Sequence, residues 1–320
     1  MAHPFRFALQ TYTATSARDW RRKAQRAEDL GYSTLFVADH YLGPGAAMER
    51  ANHPPQDIAA IPAMMAAADA TTTLRVGARV IGIDYHLPVV LAKELMTVDM
   101  LSEGRLEVGL GAGWLHPEYD AMALPFDDAP KRIARLEAIV ELIRACMSGQ
   151  PVDAVIDGRR ITGFSGLPRP AQQPGPPIMI GGGGRRVLEL AGRVADIVSI
   201  NFNNSGAGPD PLASGPAQVK EKVSWIEAAA GSRFASLELD IGAYFLAVDA
   251  DQAAAAGRFV PTLGPDIDAV IAHPHALVGS VDQICDMLQR RREEYGISYV
   301  TVFDTQMGEF APIVDRLAGA

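Results

Sequence analysis

The sequence predicts a (β/α)8 barrel with insertions, on two observations. Short apolar runs alternate with helix-patterned segments through eight strand–helix units in 320 residues, and such alternation builds a parallel sheet that eight units fill as a barrel. No G-x-G-x-x-G follows the first run, which disfavours the alternative, a doubly wound open sheet.

Phe5–Gln10 is the first strand, ended by polar Thr11-Tyr12-Thr13. Ser16 caps a helix in which Trp20, Lys23, Ala24, Ala27 and Leu30 recur at helical spacing, and Gly31 closes it. Tyr32–Ala38, rich in β-branched and aromatic residues, is the second strand and ends in Asp39-His40-Tyr41. A loop through Pro44, Gly45, Pro54 and Pro55 leads to an Ala-rich helix from Asp57 to about Thr72, a third strand at Leu74–Ile81, and a helix from Pro88 to Leu101.

The stretch Asp99–Tyr119 organises the rest. It reads as a helix end, a turn at Glu103-Gly104, a buried strand Arg105–Leu110, and then the loop Gly111-Ala112-Gly113-Trp114. Glycines there let backbone approach a ligand closely, and a loop past the C-terminal end of a parallel strand is where barrels place their sites. Lys131–Met147 is an amphipathic helix with Ile133, Leu136, Ile139, Val140 and Ile143 on one face.

Gly149–Pro177, with its prolines, glycines and short Arg160–Phe164 strand, reads as an excursion inside a single domain spanning 1–320, and so does 249–277. The alternation resumes with a strand at Ile178–Ile180, a helix from Arg185 to about Gly192, a strand at Asp196–Ile200 and a helix around Val219–Ala230. Leu237–Val248 is the seventh strand, Val281–Tyr295 the seventh helix, Ser298–Phe303 the eighth strand and Ala311–Leu317 a closing helix.

Composition narrows the function. With 48% hydrophobic residues the chain can bury a large core, and a net charge of −9 without a long basic run argues against a nucleic-acid partner. Cys146 and Cys285 fall in helices and form no CxxC pair, which suggests a reducing compartment without disulfides. The amino terminus lacks a signal-peptide pattern and no apolar stretch is long enough for a membrane span. A cytoplasmic protein with no membrane partner is expected.

In a barrel, the loops after the strands lie on one face. Asp39-His40 is the first candidate pair there: His40 could donate a hydrogen bond or a proton to a ligand, and Asp39 could accept one. Gly181, Gly182, Gly183 and Gly184, followed by Arg185 and Arg186, are the second. Free backbone N–H groups, the positive end of a helix and two cations favour an anion, and phosphate is the natural guest. It is not the Walker pattern, so nucleoside triphosphate hydrolysis is not implied. No HExxH, Cys/His cluster or GxSxG elbow is present, so no metal and no serine nucleophile is expected. His53, His86 and His116 are dispersed and read as surface or pocket-lining residues, and His273-Pro-His275 as loop punctuation.

The segments AEDLGYSTLFVADH, ATTTLRVGARVIGIDYHLP, TVDMLSEGRLEVGLGAGW and GGGGRRVLELAGRVADIV together resemble the bacterial luciferase-like superfamily over almost the whole chain, and most closely its deazaflavin (coenzyme F420) dependent oxidoreductases. Flavin mononucleotide (FMN) enzymes share the barrel and much of the pattern. The resemblance implies a cofactor across the barrel mouth, its phosphate at Gly181–Arg186 and its ring near Asp39, His40, Gly82 and Ala112. It also implies a non-proline cis peptide at Arg79-Val80, in a bulge backing the ring. The deazaflavin sugar-phosphate dehydrogenases of the superfamily carry a glutamate where this chain has Trp114, so sugar-phosphate oxidation is not expected. Tyr12, Tyr41, Trp114 and Phe202 would instead form a largely apolar pocket. Glu118, four residues beyond Trp114, is expected on a helix surface.

The leading expectation is therefore an oxidoreductase that moves a hydride between F420 and a small organic substrate, with His40 supplying a hydrogen bond or proton. A reduced-FMN monooxygenase on the same fold is the alternative, with the two excursions as a lid. A catalytically silent cofactor-binding barrel is the third. A homodimer is the expected assembly.

Overall fold

The computed structural model describes residues 3–51, 53–205 and 208–320. The first two residues of the amino-terminal stretch read above lie outside them. The barrel strands are β1 (Arg6–Thr11), β2 (Thr34–Val37), β3 (Arg75–Ala78), β4 (Leu106–Gly111), β5 (Ile178–Gly182), β6 (Ile197–Ile200), β7 (Glu238–Gly242) and β8 (Ile297–Phe303). Their main helices are α1 (Ala17–Asp29), α2 (Ala60–Asp69), α3 (Pro88–Leu101), α4 (Ala129–Ser148), α5 (Arg185–Val194), α6 (Pro216–Ala230), α7 (Val281–Tyr295) and α8 (Met307–Leu317). The architecture is a (β/α)8 barrel.

The chain divides into two compact units. One holds Tyr12–Gln25 and Leu35–Ile180. In it β4 pairs in parallel with β3 through Val76↔Leu106 and with β5 through Val108↔Ile178, and the short run Ile81–Gly82 pairs with Leu110 and Gly111. Val76, Val108, Leu110 and Ile180 are all fully buried, which is why these strands read as continuous apolar runs. Helix α4 starts at Asp128, whose carboxylate accepts the Lys131 N–H, and ends at Gly149 in the left-handed conformation, φ 78°.

The other unit holds Met1–Thr11, Arg26–Thr34 and Gly181–Ala320. There β8 pairs in parallel with β1 and β7, and β7 with β6. Its core buries Asp240, which accepts hydrogen bonds from Ser199 Oγ at 2.6 Å and Thr301 Oγ1 at 2.7 Å. Helix α7 opens on a reciprocal Ser280–Gln283 capping box and closes on Gly296, φ 74°.

Two departures from the expected elements matter. The run Leu237–Val248 is not one strand: β7 ends at Gly242, and Phe245–Val248 pairs instead with Ala276–Gly279 in a separate two-stranded ladder. The third strand is likewise interrupted, between Ala78 and Ile81, at a cis Arg79-Val80 peptide. The first excursion is an antiparallel hairpin, Val152–Ile156 with Arg159–Phe164, and the second carries three short helices before Ala276. The short helix at Ala46–Ala51 has no counterpart in the sequence reading, while that at His116–Ala121 is the one on which Glu118 was expected.

Candidate active site

The residues that follow β2, β3 and β4 come together in the unit that holds Leu35–Ile180. Asp39, 2% exposed, accepts hydrogen bonds on Oδ2 from the Gly82 N–H at 3.1 Å and from His86 Nε2 at 2.8 Å. It thereby ties the end of β2 to the segment beyond the cis Arg79-Val80 peptide. Its other oxygen, Oδ1, is buried without a hydrogen-bond partner among the described residues. An orphaned carboxylate oxygen is costly to bury unless something else satisfies it, and a ligand N–H or O–H would.

Glu118 is the centre of a second network. The expectation of surface exposure is overturned, because the residue has no exposed surface at all. Pro117 sits in the first turn of the His116–Ala121 helix, whose start swings Glu118 inward instead of out. Its Oε2 takes hydrogen bonds from His40 Nδ1 at 2.8 Å and Tyr85 OH at 2.7 Å, and its Oε1 from the Tyr41 N–H at 2.6 Å. Burial opposes its charge, but the bonds from His40, Tyr41 and Tyr85 prevail and hold the carboxyl below its ordinary range. Burial and that same carboxylate push the Tyr85 phenol up, so it stays a donor. A carboxylate can only accept, so His40 carries its Nδ1 proton toward Glu118 and presents Nε2 elsewhere.

An aromatic wall stands beside His40. The His53 ring lies 4.3 Å from it between centroids, and Trp114 meets His40 edge-on at 6.2 Å and His53 at 5.7 Å. Tyr12 closes on His53 at 5.7 Å. Burial, with the His40 charge second, pushes the His53 imidazole down to about 4, so it is neutral at physiological pH. Tyr41 is partly exposed and turns its ring edge toward Tyr85 and His86.

The loop that carries Trp114 depends on Gly113. With φ at 75°, and with Tyr119 OH 1.7 Å from where a Cβ would stand, only glycine fits. Tyr119 OH donates to Asp84 at 2.8 Å, and Asp84 in turn pairs with Arg135, which also holds Asp127 and Asp157. The carbonyl of Ala112 is fixed by Arg132 Nε at 3.0 Å.

The glycine-rich turn belongs to the other unit. Gly181 and Gly182 end β5, and Gly184 is the N-cap of α5, where among the described residues no side chain caps the first-turn N–H groups. A Cβ on Gly183 would lie 2.0 Å from the Phe202 carbonyl oxygen, whereas Gly184 has open space around it. Arg186 is exposed, while Arg185 turns along the helix to Glu189 at 2.7 Å. An open, uncapped helix start with a bare backbone fits a phosphate. Phe202 is buried against Tyr244 and His275. His273 and His275 are buried too, their rings bonded to the Pro211 and Gly242 carbonyls, so they are more than loop punctuation.

Sequence reasoning placed Asp39, His40 and Trp114 near one another and read His53 and His86 as surface or pocket-lining residues, but it assigned no role to Glu118, Tyr85, His86 or His53. The available signals were Pro117 starting a helix directly after the glycine loop, and a histidine shortly after the end of the third apolar run.

Residues 1–295 match the sequence model of the luciferase-like monooxygenases. Over 180 residues the chain is 29% identical to an F420-dependent glucose-6-phosphate dehydrogenase of Amycolatopsis mediterranei, covering 56% of this chain and 52% of that protein. Over 240 residues it is 28% identical to an FMNH2-dependent dimethylsulfone monooxygenase of Pseudomonas fluorescens, covering 74% and 60%. The chain thus spans about half the length of the curated relatives it matches. Among solved structures, a coenzyme F420 dependent tetrahydromethanopterin reductase from Methanopyrus kandleri superposes with a TM-score of 0.73 at 17% identity, over 99% of this chain and 100% of that one.

Proposed function

The chain belongs to the luciferase-like monooxygenase family, and from that premise we propose that it is an oxidoreductase transferring a hydride between coenzyme F420 and a small, largely apolar organic substrate. The observation that carries this reading is His40 held by the buried carboxylate of Glu118 beside the Trp114–His53 wall. Hydride transfer to or from a carbon–oxygen bond needs a proton moved at the oxygen, and an imidazole with a fixed tautomer and an anionic partner is built for that. A deazaflavin supplies two-electron chemistry with little reactivity toward oxygen.

The protein's part is binding, orientation and proton placement. Asp39 offers Oδ1 to a ring N–H, and Arg79, Val80, Gly82 and Ala112 back a planar ring. Gly181, Gly182, Gly183 and Gly184, with Arg185 and Arg186, take a phosphate. Tyr12, Tyr41, Trp114 and Phe202 line the substrate's surroundings, and His40 Nε2 gives or accepts the proton. In reduction the imidazolium donates to the nascent alkoxide; in oxidation the neutral ring takes the hydroxyl proton. Glu118 holds the ring in one tautomer and orientation in both directions.

A reduced-FMN monooxygenase is the second reading, favoured by the Pseudomonas relative, which matches 74% of the chain. A homodimer in a reducing, cytoplasmic setting completes the proposal, in keeping with two buried free cysteines and no described helix long and apolar enough to cross a membrane. Parallel titrations of the protein's tryptophan fluorescence with F420 and with FMN test it. Binding of F420 in clear preference to FMN supports hydride transfer to or from F420; preference for FMN moves the assignment to the monooxygenase, and binding of neither overturns both.

A further inference from the structure

We propose that Lys222 is the internal counter-charge for the anion held at Gly181–Arg186, an inference that rests on the cofactor reading above for the identity of that anion. Lys222 is 1% exposed on α6. Its Nζ donates to the Asn201 carbonyl at 2.7 Å and to Ser214 Oγ at 3.1 Å, which leaves one of its three N–H groups over among the described residues. Its partners are both neutral: among the described residues no carboxylate pairs with it. A buried ammonium without a counter-ion is a liability that folding alone does not explain.

The geometry places that charge directly behind the glycine turn. The Asn201 carbonyl oxygen that accepts from Lys222 is also 2.8 Å from where a Cβ of Gly183 would stand, and the Asn201 N–H donates to the Gly182 carbonyl at 2.9 Å. One peptide unit therefore separates the ammonium from the turn. The turn opens a ten-residue helix whose first N–H groups no side chain caps. Two independent features, a helix start uncapped among the described residues and an interior cation without a described carboxylate partner, thus meet through Asn201, and an anion at the turn would satisfy both.

Of the two surface cations at the turn, Arg185 is exposed and paired with Glu189, so its charge is already partly met before an anion arrives. The other titratable and charged groups nearby are His273, whose ring bonds the Pro211 carbonyl, and the buried Arg291, which donates to the Pro274 and His273 carbonyls. Burial lowers His273, with the Arg291 and Lys222 charges adding, so it stays neutral and offers no counter-charge. Burial also pushes Lys222 down to about 8, so the wild-type protein carries the charge at neutral pH and loses it as pH rises past that value.

The test compares phosphate-bearing ligands with their phosphate-free counterparts: F420 against its deazariboflavin core, FMN against riboflavin, with inorganic phosphate as a third probe by thermal shift. Wild-type affinity for the phosphate-bearing member should fall about tenfold between pH near 7 and pH near 10, with no matching fall for its counterpart. Lys222→Met should weaken the phosphate-bearing member about tenfold and flatten its pH profile, while Lys222→Arg restores most of the affinity. The wild-type profile needs no variant, so a Lys222→Met protein that fails to fold leaves the test intact. Equal losses for both members of a pair, or a wild-type profile without a phosphate-specific fall, overturn the inference. If the wild-type protein binds no flavin or deazaflavin, the cofactor reading fails. Lys222-dependent stabilisation by inorganic phosphate would then still support the counter-charge, and its absence would overturn that as well.

Discussion

His40 Nδ1 lies 2.8 Å from Oε2 of Glu118, across 78 positions of sequence, and the carboxylate has no exposure to solvent. Glu118 also binds Tyr41 and Tyr85, so it fixes three groups that follow β2 and β3. The site is organised around an acid whose hydrogen-bond donors all come from distant sequence.

Replacing His40 by alanine removes the proposed proton carrier but none of the groups proposed to hold the cofactor's phosphate. Turnover is expected to fall about 10²- to 10⁴-fold, with cofactor affinity kept within a fewfold. Steady-state kinetics and a fluorescence titration on the same preparation check it. Unchanged turnover contradicts the role.

Glu118→Gln keeps the shape and removes the charge. A folded-state carboxyl held below its ordinary 4.5 contributes stability that is complete above that pH and is lost as pH falls through the lowered value. The wild-type melting temperature should therefore drop more steeply below about pH 4.5 than that of Glu118→Gln. Turnover of the variant near neutral pH is expected to fall by about tenfold or more, since the imidazolium loses its partner.

His53 gives the same sign in a different window. Its imidazole is pushed from 6.5 down to about 4 by burial, so the unfolded chain takes up a proton first and stability declines as pH falls from 6.5 toward 4. His53→Phe keeps the ring against His40 and Trp114 and should flatten that part of the profile. Melting curves at half-unit pH steps separate the His53 window from the Glu118 one.

Gly113→Ala puts a Cβ onto Tyr119 OH at a φ of 75°. A loss of about 1–3 kcal/mol is expected from the backbone alone, together with displacement of Trp114. Denaturant unfolding measures the first and the intrinsic tryptophan emission maximum the second. Wild-type values for both would contradict the fit described for this loop.

The barrel was legible because its strands are buried and apolar and its helices carry clear start and stop residues: α3 opens on Pro88 and α7 closes on Gly296, so that both match the expected Pro88–Leu101 and Val281–Tyr295. The seventh strand was overextended because Ile241–Val248 carries no charged residue to mark a break, while the backbone leaves β7 for a second ladder with Ala276–Gly279. In that case burial continues although the pairing partner changes. Asp39 and His40 stood out by their place at a strand end. Glu118, Tyr85 and His86 did not, because what buries a carboxylate is the set of donors around it, and those lie 33 to 78 positions away in sequence.

The most direct test of the central claim is turnover of F420 against a panel of small apolar alcohols, ketones and enones, run with and without oxygen while oxygen consumption is followed. The account predicts F420 redox change coupled to substrate conversion, undiminished without oxygen, and abolished or strongly reduced in His40→Ala. Substrate conversion that requires reduced FMN and consumes oxygen, with F420 inert, would contradict it.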